Sequence, residues 1–166
     1  MTSISEIRES VKGEFWLGER KVTVSIRSRS YRGEEEPEMI EVTAAGTMQL
    51  TEECAIVLYD EALDTDMPPQ QVRLEIDSEG VLVERDGPYE LKLAFRERSR
   101  FESRYQTPVG PMDVAVFCTA LQYDIDENGG TIYIQYQLNL NGEYNDMHEV
   151  EYTLSAEKSA GRNRKP

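Results

Sequence analysis

The chain has 166 residues, enough for one domain with a sizeable core. Its 32 Asp and Glu against 18 Lys and Arg leave a net charge of −14 and a pI near 4.5. A field of that sign repels phosphate backbones and anionic lipid headgroups, so nucleic acid and membrane surfaces are excluded as expected main partners and the acids read as a solvated surface.

The chain opens with a polar, acidic stretch, MTSISEIRES, where a secretory signal would carry a basic start and an apolar middle. No apolar run is long enough to span a bilayer as a helix, so a cytoplasmic location is expected. Ile4, Ile7, Val11 and Phe15 fall at helical spacing, and Ser3 with Glu6 can form a capping box. This predicts a short amphipathic helix within an N-terminal arm over 1–20.

From Lys21 the period changes from helical to two. Val22, Val24 and Ile26 face one way, with Lys21, Thr23, Ser25, Arg27 and Arg29 opposite. After a charged turn at Gly33 to Pro37, Ile40, Val42, Ala44, Gly46 and Met48 repeat the pattern. Cys54 to Tyr59 is apolar on both parities, as expected of a strand covered on both sides. Adjacent Pro68 and Pro69 cannot continue a central strand and mark a loop. Val72, Leu74 and Ile76 alternate with polar residues, Asp77 to Gly80 reads as a hairpin turn into Val81–Arg85, and Asp86-Gly-Pro88 is another turn.

Leu91 to Tyr105 reads as one strand of odd composition. Leu91, Leu93, Phe95, Phe101 and Tyr105 share one parity, while Arg96, Arg98, Arg100 and Arg104 share the other. A turn at Thr107 to Gly110 then leads into a long hairpin that bends over Asp124 to Gly130. Its return strand, Ile132, Ile134, Tyr136, Leu138 and Leu140 against Thr131, Tyr133, Gln135, Gln137 and Asn139, is the cleanest alternation in the chain. A last strand from Glu143 to Leu154 carries His148, Val150, Tyr152 and Leu154 on one parity. The basic residues of 155–166 show no periodicity and predict a disordered tail.

The sum is an all-β protein of about eight or nine strands. Connections short enough for a meander favour an antiparallel up-and-down β-barrel over 21–154, because closure removes the exposed edges that a two-sheet sandwich leaves.

Candidate sites are few. His148, the single histidine, shares the inward parity and is placed to orient a ligand, or to be a satisfied core or rim residue. With Tyr136, Tyr152, Phe101 and Tyr105 it forms the candidate ligand-binding set. Arg96, Arg98, Arg100 and Arg104 form a candidate partner-binding face, or an outer face paired with acids on adjacent strands. His148 with Asp146 does not make a zinc site, and the Asp124 loop lacks the spacing of a calcium loop, so no metal is expected. Cys54 and Cys118 read as small hydrophobes, with a disulfide as the alternative. There is no nucleophile elbow and no Gly-rich phosphate loop, hence no expected cofactor and no expected enzyme.

Tyr105-x-Thr-Pro-x-Gly110, the long strand after it, Asp124-Ile-Asp-Glu-x-Gly-Gly and the strand through Tyr136 resemble the YwiB-like family, a bacterial calycin-type β-barrel group carried as a domain of unknown function. The resemblance extends from about Lys21 to about Leu154. It implies a calycin or lipocalin-like barrel, and it brings no catalytic residues with it. The expected function is non-enzymatic: binding of a small, partly apolar molecule in or at the mouth of the barrel. The rival expectation is a protein-interaction module using the Arg96–Arg104 strand or the N-terminal helix, as monomer or homodimer.

Overall fold

The computed structural model describes residues 16–62 and 66–157. Ten strands follow in chain order: β1 (Trp16–Tyr31), β2 (Glu38–Thr51), β3 (Cys54–Glu61), β4 (Gln70–Asp77), β5 (Gly80–Asp86), β6 (Leu91–Phe95), β7 (Arg100–Thr107), β8 (Gly110–Asp126), β9 (Gly129–Leu140) and β10 (Glu143–Ala156). Among the described residues there is no helix. The expected N-terminal helix and most of the expected tail lie outside the described residues. β1 begins at Trp16 and β10 ends at Ala156, so the sheet reaches past both Lys21 and Leu154.

Apart from β6 and β7, consecutive strands pair antiparallel, in the order β6-β5-β4-β3-β2-β1-β10-β9-β8-β7. The meander closes because β1 pairs with β10 along a full ladder, from Val22 opposite Ala156 to Tyr31 opposite Met147. The remaining seam lies between β6 and β7. There the ladder is replaced by one bridge, in which Glu90 and Gln106 exchange two backbone hydrogen bonds of 2.9 Å. The result is a nearly closed up-and-down barrel.

The strand count is ten, above the expected eight or nine, because the predicted strand from Leu91 to Tyr105 is two strands. Arg96 to Ser99 is polar at all four positions, so nothing on either parity holds it to the core. The chain turns there instead, with Arg98 at φ 60° and Ser99 N–H donating to Arg96 C=O at 3.1 Å. The arginines therefore do not share one strand face. Arg96 and Arg98 belong to the turn, while Arg100 and Arg104 lie on the exposed side of β7.

The two glycines at the β8–β9 turn are required by space and by backbone. Gly130 has φ +148°, and a Cβ there would stand 1.9 Å from the Asp124 carbonyl oxygen. Gly129 has φ +113°, and its Cβ would meet the Leu154 carbonyl at 2.0 Å. The Gly-Gly pair lets β8, β9 and β10 approach at one barrel end.

The core is packed at that end and thins toward the other. Along β1, Val22 and Val24 are fully buried, whereas Ile26 and Ser28 are only partly so. The same gradient runs along β9, from buried Ile132 and Ile134 to half-buried Tyr136, Leu138 and Leu140. Met48, Val57, Leu74, Val83 and Phe95 complete the packed half. On the outer face, Gln49, Ile56, Glu75 and Leu82 form a cross-strand row that is also buried, as the two-sided apolar pattern of β3 leads one to expect.

Candidate ligand-binding lumen

Where the core thins, the barrel holds a cavity of about 220 Å³. Its wall is mostly apolar, with Ile26, Val42, Val83, Leu93, Ile134 and Val150 joined by the rings of Phe95, Tyr136 and Tyr152. Four polar residues face it: Ser28, Glu61, Arg85 and His148. Each is there because of strand parity. Arg85 continues the inward series Val81, Val83 on β5, Glu61 continues Val57, Tyr59 on β3, and Ser28 continues Val24, Ile26 on β1.

Arg85 dominates the electrostatics. Its Nε donates to Glu61 at 3.3 Å, and neither Nη nitrogen donates to another described residue. Nearby Tyr59, Tyr105, Tyr136 and Tyr152 all feel its charge. Burial outweighs that attraction and pushes all four phenols above their ordinary value, so they stay protonated as hydrogen-bond donors. The Arg85 guanidinium is itself pushed upward: burial works against the charge, and the Glu61 carboxylate beside it favours the charge. Tyr59 is 4% exposed, and its hydroxyl lies beside Tyr152 outside hydrogen-bond geometry, which leaves it buried with no partner among the described residues. A buried polar atom without a partner is uncommon and needs a reason.

His148 sits at the mouth with both ring nitrogens engaged. Nε2 lies 2.8 Å from Asp146 Oδ1, and Nδ1 lies 3.3 Å from Ser30 Oγ. In the neutral ring, Nε2–H donates to the carboxylate and Nδ1 accepts from the hydroxyl. A bulge between Tyr144 and Asp146 turns Asp146 inward, where it is 5% exposed and also 3.7 Å from Arg32. The imidazole stacks on Tyr136 at 5.1 Å and 7°, and Tyr136 packs against Phe95 at 4.9 Å. His148 thus offers a ligand its ring face and edge, because its nitrogens are occupied.

The expected ligand set divides. His148, Tyr136 and Tyr152 line the cavity; Phe101 and Tyr105 pack against the core from β7 without reaching it. Tyr105 instead packs against Tyr89 at 5.9 Å. The expected partner-binding arginines are largely engaged by acids: Arg96 with Glu79, Arg100 with Glu102 at 3.0 Å and Arg104 with Asp113 at 3.2 Å. A wider hollow of about 710 Å³ lies across the outer faces of β2 to β7. It is shallow and crossed by paired charges, with Arg73 bridging Glu75 at 2.8 Å and Glu84 at 2.7 Å. The enclosed lumen is the better-formed site.

Arg85 and Glu61 were not among the candidates, although the parity of Val81, Val83 and Arg85 pointed the guanidinium inward. Both cysteines are unpaired thiols; Cys118 is buried and pushed up to about 11 by desolvation. Among the described residues no three His, Cys, Asp or Glu side chains are grouped to hold a metal ion. No helix among them is long and apolar enough to cross a membrane.

Comparison with known proteins gives two findings. The family model for Domain of unknown function (DUF1934) matches residues 24–153. The crystal structure of the YwiB protein from Bacillus subtilis superposes with a TM-score of 0.76 at 20% sequence identity, over 89% of this chain and 99% of that one. At that identity the likeness shows the fold. No curated protein matches.

Proposed function

The chain belongs to the DUF1934 domain family, and on that footing we propose that it is a non-enzymatic binding barrel for a small, partly apolar molecule. One observation carries the reading: the lumen is packed at one end and unfilled at the other. Side chains that would fill it are replaced there by Ser28, Glu61, Arg85 and a ring of aromatic edges. A barrel whose only task was to be stable would gain by closing such a space, since each unfilled methyl-sized void costs about 1 kcal/mol. Polar groups set sparsely in an apolar wall are the usual composition of a ligand site.

Native mass spectrometry of gently purified protein tests this, before and after organic extraction. We expect a discrete extra mass that extraction removes. A bare mass, together with unchanged methyl NMR signals of Ile134 and Val150 when the protein is saturated with octanol, overturns the reading. The protein-interaction alternative draws less support, since Arg96, Arg100 and Arg104 each already face an acid.

A further inference from the structure

Among the described residues, Arg85 carries the most unmet hydrogen-bond donors of any group lining the lumen. A guanidinium carries five N–H donors, and among the described residues only Nε–H has an acceptor, the Glu61 carboxylate. The side chain lies on the inward parity of β5, lines the cavity and is 27% accessible, so it is not sealed within packed protein. The partnerless Tyr59 hydroxyl lies within its electrostatic reach. Beyond this polar corner the wall is mostly apolar, with Val83, Leu93, Ile134 and Val150, and the ring nitrogens of His148 are already engaged by Asp146 and Ser30.

We infer that the ligand of this lumen is a small monocarboxylate with an apolar tail, its carboxylate held by the Nη groups of Arg85 and its tail lying along Val83, Leu93, Ile134 and Val150. The inference rests on the lumen being a ligand site. A planar carboxylate accepts two parallel N–H bonds from a guanidinium, the strongest neutral-pH pairing such a site can offer. Glu61 selects for a single negative charge. It already neutralises part of Arg85, so a dianion such as a phosphate ester would bring its second charge against Glu61 and against a molecule of net charge −14.

The test is isothermal titration of the full chain with octanoate, octanol and octyl phosphate. Octanoate is expected to bind with one-to-one stoichiometry and most tightly of the three. In the double variant Glu61→Gln, Arg85→Gln, which leaves no lone buried carboxylate, octanoate affinity should fall by roughly tenfold or more while octanol is unaffected. Circular dichroism checks the fold. If that variant fails to fold, Arg85→Lys is read instead: the charge stays, the planar fork is lost, and octanoate alone should weaken. Octanol binding as well as octanoate, with no effect at Arg85, overturns the headgroup and leaves the ligand barrel standing. Octyl phosphate binding tightest overturns the monocarboxylate. Failure of all three to bind the folded wild-type chain overturns the inference and the lumen reading together.

Discussion

Glu149 shows how one carboxylate on an acidic surface becomes structural. It accepts hydrogen bonds from Tyr31 Oη and Tyr133 Oη at 2.8 Å each and from Gln135 Nε2 at 3.4 Å, which ties β1, β9 and β10 together on the outside. The bonds from Tyr133 and Tyr31 hold its pKa below the ordinary carboxylate value. A depressed folded-state pKa means the stabilisation is present above the unfolded value and is lost as pH falls through the folded one. Urea midpoints should therefore drop as the pH is lowered through and below the usual carboxylate range, and Glu149→Gln should show a shallower drop. An unchanged slope would show that Glu149 is an idle surface acid. The inward parity of His148 was legible residue by residue, but its occupation was not. Its partners Ser30 and Asp146 come from a distant strand and from a bulge, and neither a register nor a bulge leaves a mark in a lone sequence.

At the scale of elements, alternation identified nearly every strand, and β9 most clearly. It failed between Phe95 and Phe101 for a specific reason: both positions are odd, so the Arg96–Ser99 turn interrupts the strand without shifting the phase. A parity count reads through such a break. The turn makes the seam, because β6 ends at Phe95 while β7 continues on β8. With one bridge in place of a ladder, the seam should open at lower free energy than the β1–β10 junction. Hydrogen exchange is the measurement. The bridge amides of Glu90 and Gln106 should exchange well ahead of those of Ser25 and Thr153, which face each other across β1 and β10, whereas equal protection would mean that the barrel opens only by global unfolding.

For the molecule as a whole, the short connections made closure legible, and the number of apolar inward positions made a core legible. Uneven filling was not. Whether a lumen is full depends on side-chain volumes summed around a ring of ten strands, and a linear count of inward positions does not give that sum. In the structure Met48 fills one half, and Phe95 and Tyr136 border the cavity. The two halves should answer truncation differently. Leu74→Ala in the packed half is expected to cost about 2–5 kcal/mol in urea denaturation. Val150→Ala only enlarges an existing space and should cost much less. Similar losses at both positions would mean that the lumen is as tightly packed in solution at one end as at the other.

The pairing of β1 with β10 also sets a timetable. Of the ten described strands β1 is made first, and its partner on that side, β10, is made last. At about 5–20 residues per second, β1 waits on the order of ten seconds with one edge uncovered. Its outward residues during that wait include Arg27 and Arg29, basic positions in an acidic chain, and in the finished barrel they stand directly opposite Glu151 and Glu149 of β10. Two nascent copies of β1 meeting edge to edge would set arginine against arginine, while the late-arriving strand brings the matching acids. The waiting edge is thus marked, by charge, for one strand of its own chain.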